Sequence, residues 1–141
     1  MATSTKNGRF ASVRLGTYII AGIGNYSLDG WTNDTVETTA FGTIAKTYEF
    51  TMQSYGTVKF AGMYMTGDTT GQDLLLSAWQ NQSKLTNLRF YIDSTSYYTA
   101  GVTSQSDSGF LMQSYGTISF DKAQVGQTSF SAQVSGVLAL V

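Results

Sequence analysis

The hexapeptide Met52-Gln53-Ser54-Tyr55-Gly56-Thr57 recurs as Met112-Gln113-Ser114-Tyr115-Gly116-Thr117. Each copy lies between two phenylalanines, Phe50 and Phe60 or Phe110 and Phe120, with β-branched Val58 or Ile118 inside the frame. In an extended chain successive side chains point to opposite faces. Each copy therefore puts Met, Ser, Gly, Val or Ile, and Phe on one side, and Gln, Tyr and Thr on the other. The expectation is one strand design used twice, with a packed face and a polar, aromatic face. No catalytic residue type stands on that polar face, which points to assembly rather than chemistry.

The remainder of the composition narrows the function further. A chain of 141 residues is one domain by length and can bury a core without disulfides or metals. Cys and His are absent, which removes thiolate chemistry, imidazole acid–base catalysis, and nearly all zinc, copper and haem sites. Nine acids and eight bases, scattered singly, make neither a basic stripe for nucleic acid nor an acidic tail. Only 12% of residues are charged, against about 25% in soluble domains. So lean a surface is often one that is covered by another protein.

Along the chain, residues 1–10 are polar and are expected to form a flexible arm ahead of a single domain, 11–141. Val13, Leu15, Thr17, Ile19, Ala21 and Ile23 alternate as a first strand; Gly16, Thr17 and Gly22 interrupt the apolar run that a signal peptide would need. A second strand is expected over Thr35 to Phe41, then a protruding connector from Gly42 to Glu49, then the first repeat strand from Phe50 to Met65. One helix is expected over about 71–83, capped by Thr70 with Asp73 or Thr69 with Gln72, and buried through Leu74, Leu75, Ala78 and Trp79. Strands follow at Leu88 to Ile92, Tyr97 to Val102, Phe110 to Asp121, and, after a turn at Gln124 to Gln127, at Phe130 to Leu140. The sum is a mainly β chain, an antiparallel sandwich or barrel of about seven strands with one packed helix. The absence of Pro leaves strand edges with little to blunt them.

Several motifs reduce to structure. Gly22-Ile23-Gly24 lacks the third glycine and the helix of a dinucleotide fingerprint. Asp68 to Asp73 lacks the spacing and terminal Glu of a calcium loop. Asp34 and Glu37 could pair for glycoside hydrolysis, but nothing sets them across a cleft. Tyr91, Tyr97, Tyr98, Tyr55, Tyr115, Trp31 and Trp79 could form a stacking platform for sugars; otherwise Trp79 belongs to the core and the tyrosines to a protein interface, where Tyr is enriched.

Ile19-Ile20-Ala21-Gly22-Ile23, then Val36-Glu37-Thr38-Thr39-Ala40-Phe41-Gly42, the connector through Lys46-Thr47-Tyr48, the helix Gln72 to Gln80 and the closing Ser129-Phe130-Ser131-Ala132-Gln133-Val134-Ser135-Gly136 follow in an order spanning most of the chain. That order resembles the tail tube (major tail) proteins of long-tailed bacteriophages. The resemblance implies a sandwich or barrel flanked by one helix, assembled as hexameric rings whose sheets join edge to edge. Stacked rings would form the hollow tail tube for DNA passage. Gly42, Thr43, Ile44, Ala45, Lys46, Thr47 and Tyr48 would then reach an adjacent ring. Gln53, Tyr55, Thr57, Gln113, Tyr115 and Thr117 are the candidates for a lumen or inter-subunit face. The partners implied are further copies and the tape-measure, tail-terminator and tail-tip proteins, with DNA passing without specific binding. No membrane, cofactor, metal or enzymatic activity is implied. The subunit would be made in the host cytoplasm and reside in the virion tail. Two other readings share the β-rich, charge-poor pattern: a carbohydrate-binding β-sandwich module, and the inner-tube subunit of a contractile injection or secretion system.

Overall fold

The computed structural model describes residues 5–101 and 108–141. The first part of the expected N-terminal arm, Val102, and most of the expected loop at Ser104 to Gly109 lie outside these residues. The chain forms β1 (Ser12–Leu15), β2 (Tyr18–Ile19), β3 (Ile23–Asp29), β4 (Thr32–Glu37), β5 (Tyr48–Ser54) and β6 (Thr57–Met63). After α1 (Gln72–Asn81) come β7 (Lys84–Leu85), β8 (Leu88–Tyr91), β9 (Tyr97–Thr99), β10 (Gly109–Ser114), β11 (Ile118–Asp121), β12 (Gln124–Ser135) and β13 (Ala139–Leu140). One sheet has the order β13-β9-β8-β1-β2, the other β3-β6-β12-β10-β7 with β11 also on β12, and β4 and β5 pair only with each other. The class expected from the sequence is correct, a mainly antiparallel β fold with one helix. Its strands are shorter and more numerous than the alternation suggested.

Four phenylalanines join the sheets. Phe60 of β6, Phe110 of β10 and Phe130 of β12 face Phe90 of β8, and all are at most 2% exposed. Phe90 meets Phe60 at 5.7 Å and Phe110 at 5.6 Å in edge-on contacts, while Phe60 and Phe130 stack at 5.0 Å. Burying such a side chain is worth about 1.5–3 kcal/mol, and favourable ring pairs add about 0.5–1.5 kcal/mol. Tyr26 of β3 closes the same layer against Phe90 and donates its hydroxyl to the Tyr91 carbonyl at 2.8 Å. That bond ties one sheet to the other.

Four expected strands are broken, each at a turn that period-two reading passes over. The segment from Val13 to Ile23 is a hairpin, with β1 and β2 antiparallel around Gly16-Thr17; Ile20 is buried and Ile19 is exposed. The stretch from Phe130 to Leu140 divides at Gly136, so that β12 and β13 belong to different sheets and Leu140 is exposed rather than inward. The repeat strands break inside the repeated phrase itself. The expected turn at Gln124 to Gln127 lies within β12, and the chain instead reverses at Lys122-Ala123, where Asp121 pairs with Gln124. Tyr91, placed outward by alternation, is buried beneath its neighbours on the outer face of the sheet.

The helix falls where expected but is held differently. Its capping carboxylate is Asp68, whose Oδ2 accepts from the amides of Gln72 and Ala21, both at 3.0 Å. Neither Thr69 nor Thr70 supplies the cap, and Gly71 occupies the cap position. The buried stripe is Gln72, Leu75 and Ala78, whereas Leu74 and Trp79 are 46% and 44% exposed. Gln72 is the anchor: its Oε1 accepts from the Met65 amide at 3.1 Å, and its Nε2 donates to the carbonyls of Ala21 at 2.8 Å and Met63 at 2.9 Å. A hydrophobic stripe search cannot find such a residue, because the position wants an amide. No helix among the described residues is long and apolar enough to cross a membrane.

Two outcomes follow. Gln72→Leu should cost about 3 kcal/mol, because it strands three partly buried backbone groups, measured as the shift in urea unfolding. For Tyr26, burial first and then neighbouring Tyr98 raise the phenol pKa above its ordinary 10.0. The folded state thus favours the neutral phenol, so its contribution is complete below pH 10 and is lost as pH rises through the raised value. Tyr26→Phe should lower stability by about 1 kcal/mol at neutral pH and flatten the alkaline fall in stability above pH 10; an unchanged alkaline limb would assign that fall to other groups.

Candidate assembly surfaces

The connector expected to protrude does so, as the end of a long arm. β4 and β5 pair from Thr32↔Ser54 to Glu37↔Tyr48, and every residue of both strands is exposed. Threonines order the tip. The Thr38 amide donates to the Thr47 carbonyl at 2.8 Å, the two hydroxyls lie 3.0 Å apart, the Thr47 amide donates to Thr39 Oγ1 at 3.0 Å, and Thr43 Oγ1 donates to the Ala40 carbonyl at 2.6 Å. Gly42, Thr43, Ile44, Ala45, Lys46 and Thr47 all lie at this tip, with Tyr48 opening β5. Phe41 and Ile44 are as exposed as in an extended peptide, and Phe50 and Met52 are 78% and 73% exposed. A two-stranded ribbon alone is marginal in water, and an apolar surface of this extent marks an interaction site.

The root of the arm explains the first copy of the repeated phrase. Gly30 and Gly56, at φ of +83° and +68°, face each other where β3 passes into β4 and β5 into β6. A Cβ on Gly56 would fall 2.0 Å from the Asp29 carbonyl oxygen. Beside them Trp31 meets Tyr55 at 5.6 Å and Tyr98 at 6.0 Å. The second copy is also a corner: β10 ends at Ser114, and β11 begins at Ile118. Gly116 there lies against Ser129, whose Oγ accepts from the Thr117 amide at 3.1 Å.

The six residues expected on one polar strand face therefore divide. Gln53 is exposed on β5, and Gln113 is exposed at the bulge of β10 against β12. Tyr55 and Tyr115 turn toward the core, Tyr115 meeting Phe130 edge-on at 4.8 Å, and burial raises its phenol pKa. Thr57 is half-buried at the start of β6, paired with Asp29 and Gln133, and Thr117 is exposed at the second corner. The corners invert the packing phase. Phe50 and Met52 before the first Gly are exposed while Val58 and Phe60 after it are buried; Phe110 is buried before the second, whereas Ile118 and Phe120 after it are 47% and 70% exposed. Ile118 and Phe120, which alternation alone assigns to the core, and Val125 of β12, which lies in the expected turn, make a second apolar surface. The sequence signal for it was the Tyr-Gly step inside each strand, which ends the phase.

Asp34 and Glu37 both sit exposed on the arm, and neither lines the cavity beside it, which is bounded by Asn33, Phe50, Met52, Tyr55 and Val134. Asp93 instead has a structural role: its Oδ1 accepts from the amides of Ser96 at 2.7 Å and Thr95 at 2.8 Å, and Lys6 Nζ donates to its Oδ2 at 3.0 Å. The two amides first, and Lys6 after them, hold its carboxyl well below the usual carboxylate range.

The chain superposes over nearly its whole length on chains of several solved structures. A chain in the virion of a native gene transfer agent particle superposes with a TM-score of 0.71, covering 97% of this chain and 99% of that one at 14% identity. The chain has the tail-tube fold. Proteins with this fold also include one in the sheath/tube terminator of an extracellular contractile injection system, at TM-score 0.67 and 13% identity over 100% and 99% of the two chains. Another lies in the tube-terminating cap of the anti-feeding prophage, at 0.65 and 11% over 100% and 93%. No protein-family profile and no curated protein matches the sequence. The fold is thus shared at only 11–14% sequence identity.

Replacing Phe41 and Ile44 together by Ser should change unfolding free energy by no more than about 0.5 kcal/mol, as expected of surface positions. A loss of several times that in chemical denaturation would show that the tip packs on its own chain.

Proposed function

We propose that the chain is a virion structural protein that assembles into stacked hexameric rings and forms the hollow tail tube through which DNA leaves the particle. The observation that carries this reading is the β4–β5 arm: a ribbon exposed on every residue, tipped by Phe41 and Ile44, on a sandwich with the tail-tube fold. A free domain gains nothing by exposing it, whereas a copy seated on a neighbour buries it. Hexameric rings are supported by the likeness to a gene transfer agent tail of C6 symmetry, at TM-score 0.71 and 14% identity. Sheet edges left open among the described residues at β3, β7, β2 and β13 would pair around the ring, a closure that removes edges without Pro or charge.

In this reading Gly42 to Tyr48 contact the adjacent ring, and the segment before residue 11 adds contacts between copies. The exposed Gln53, Gln113 and Thr117 face the lumen or a neighbouring subunit. A nearly neutral, amide- and hydroxyl-bearing surface suits DNA in transit, since Lys and Arg would hold phosphates. Tape-measure, tail-terminator and tail-tip proteins are the further partners, and the host cytoplasm is the place of synthesis. The likeness to chains from contractile injection systems supports a second reading, an inner-tube subunit surrounded by a sheath.

Negative-stain electron microscopy of purified protein at rising concentration should show rings or hollow tubes. Protein that stays monomeric across salt and concentration would overturn the assembly reading. Deleting Thr43 to Lys46 should leave the monomer folded and stop stacking; tubes of ordinary length from that deletion would remove the inter-ring role of the tip.

A further inference from the structure

Arg14 of β1 and Arg89 of β8 are direct partners across an antiparallel pair. Val13, Leu15, Leu88 and Phe90 point into the core, so alternation puts both arginines on the outer face of the first sheet. Like charges directly opposite each other destabilise a strand pair. The sequence has three arginines and places two of them here. Among the described residues the ion pair is Lys6 with Asp93, and neither arginine has a carboxylate partner.

The two guanidiniums are instead spread onto rings. Arg14 lies 4.0 Å over Tyr91 and Arg89 4.7 Å over Tyr97, and these rings are 4.8 Å apart. Arg14 Nε also donates to Ser12 Oγ at 3.1 Å. Stacking on a ring fixes the plane of a guanidinium and leaves edge N–H groups free to fork onto a carboxylate or phosphate. With Tyr91 only 6% exposed, the row has little side-chain freedom left to lose on binding. The repulsion built into it is relieved by an anion.

We infer that this row receives the acidic side chains of the β4–β5 arm of a second copy. Asp34, Glu37 and Glu49 lie exposed on that arm, with no cation paired to them among the described residues. Cations held rigid on one face and carboxylates on a projecting arm give complementary charge between copies, in a chain whose net charge is only -1. Such pairing sets register and partner choice more than raw affinity. The inference rests on the self-assembly reading and names the surface on which the arm lands.

The test compares wild type with R14Q/R89Q, in which the fold keeps its core and loses the cross-strand repulsion. The monomer should unfold at the same or higher urea concentration, while the protein concentration needed for tubes should rise by about tenfold or more, and assembly should lose most of its salt dependence. R14E/R89E should abolish tubes, and adding E37K/E49K to the same chain should restore them. Wild-type assembly and salt dependence in R14Q/R89Q would overturn the inference and leave the self-assembly reading standing. Loss without restoration by the charge swap would overturn the arm as occupant and give the row to another anion, such as a phosphate. A wild-type chain that never assembles would remove the self-assembly reading and the inference together. If R14E/R89E does not fold, R14Q/R89Q decides.

Discussion

Contact among Phe60, Phe90, Phe110 and Phe130 is the interaction on which the rest of the molecule depends. Three of these rings come from adjacent strands of one sheet, and Phe90 comes from the other. They fix the separation of the sheets, and with it the positions of Tyr26 and Tyr115, which pack on the same rings. β12 runs through the middle of the larger sheet and is paired along its length by β6 on one side and by β10 and β11 on the other. Both copies of the repeated phrase flank it. The Val134 amide and the Gln133 side chain donate to the Gly56 carbonyl at 3.0 and 2.8 Å, and Ser129 holds Thr117 across the other edge.

The chain enters that fixed centre at Gly56 and leaves it at Gly116, and the half outside each corner exposes apolar side chains. This inverts the usual economy of a small domain, in which apolar residues at such positions would be replaced by charge. With 12% charged residues, the chain exposes Phe41, Ile44, Phe50, Phe120 and Val125 while giving two arginines to one stacked row. In the proposed assembly, burial between copies would cover the apolar arm and opposite charges would meet across the contact. The proposed assembly surface is thus distributed over an arm, a corner and a sheet face, rather than gathered in a pocket.

The fold class, the helix and the protruding connector were legible because each leaves a local mark. Alternation with β-branched and aromatic residues marks strands, Leu75 and Ala78 mark a helix, and Gly42 to Glu49 offers no tight-hairpin dipeptide. Strand phase was not legible. A Gly that turns the chain and a Gly that merely sits in a strand read alike, so Phe50 and Phe60 were assigned to one face although the corner at Gly56 separates an exposed ring from a buried one. Gln72 was missed as an anchor because its importance lies in three backbone groups that only folding brings together. Asp68 was missed as a cap because the amide it holds at Ala21 is 47 residues away.

By itself the sequence determined which residues prefer extended structure, that the chain lacks the imidazole and thiol chemistry of common catalytic sites, and that its surface is poor in charge. These are properties of side chains and of neighbours along the chain. Tertiary structure decided what the repeated Met-Gln-Ser-Tyr-Gly-Thr phrase is: a corner on either side of β12, with the buried half following it in the first copy and preceding it in the second. Which half is buried depends on whether Phe90 lies across from it, and that contact is made by a strand about thirty residues after the first corner and about twenty-five before the second.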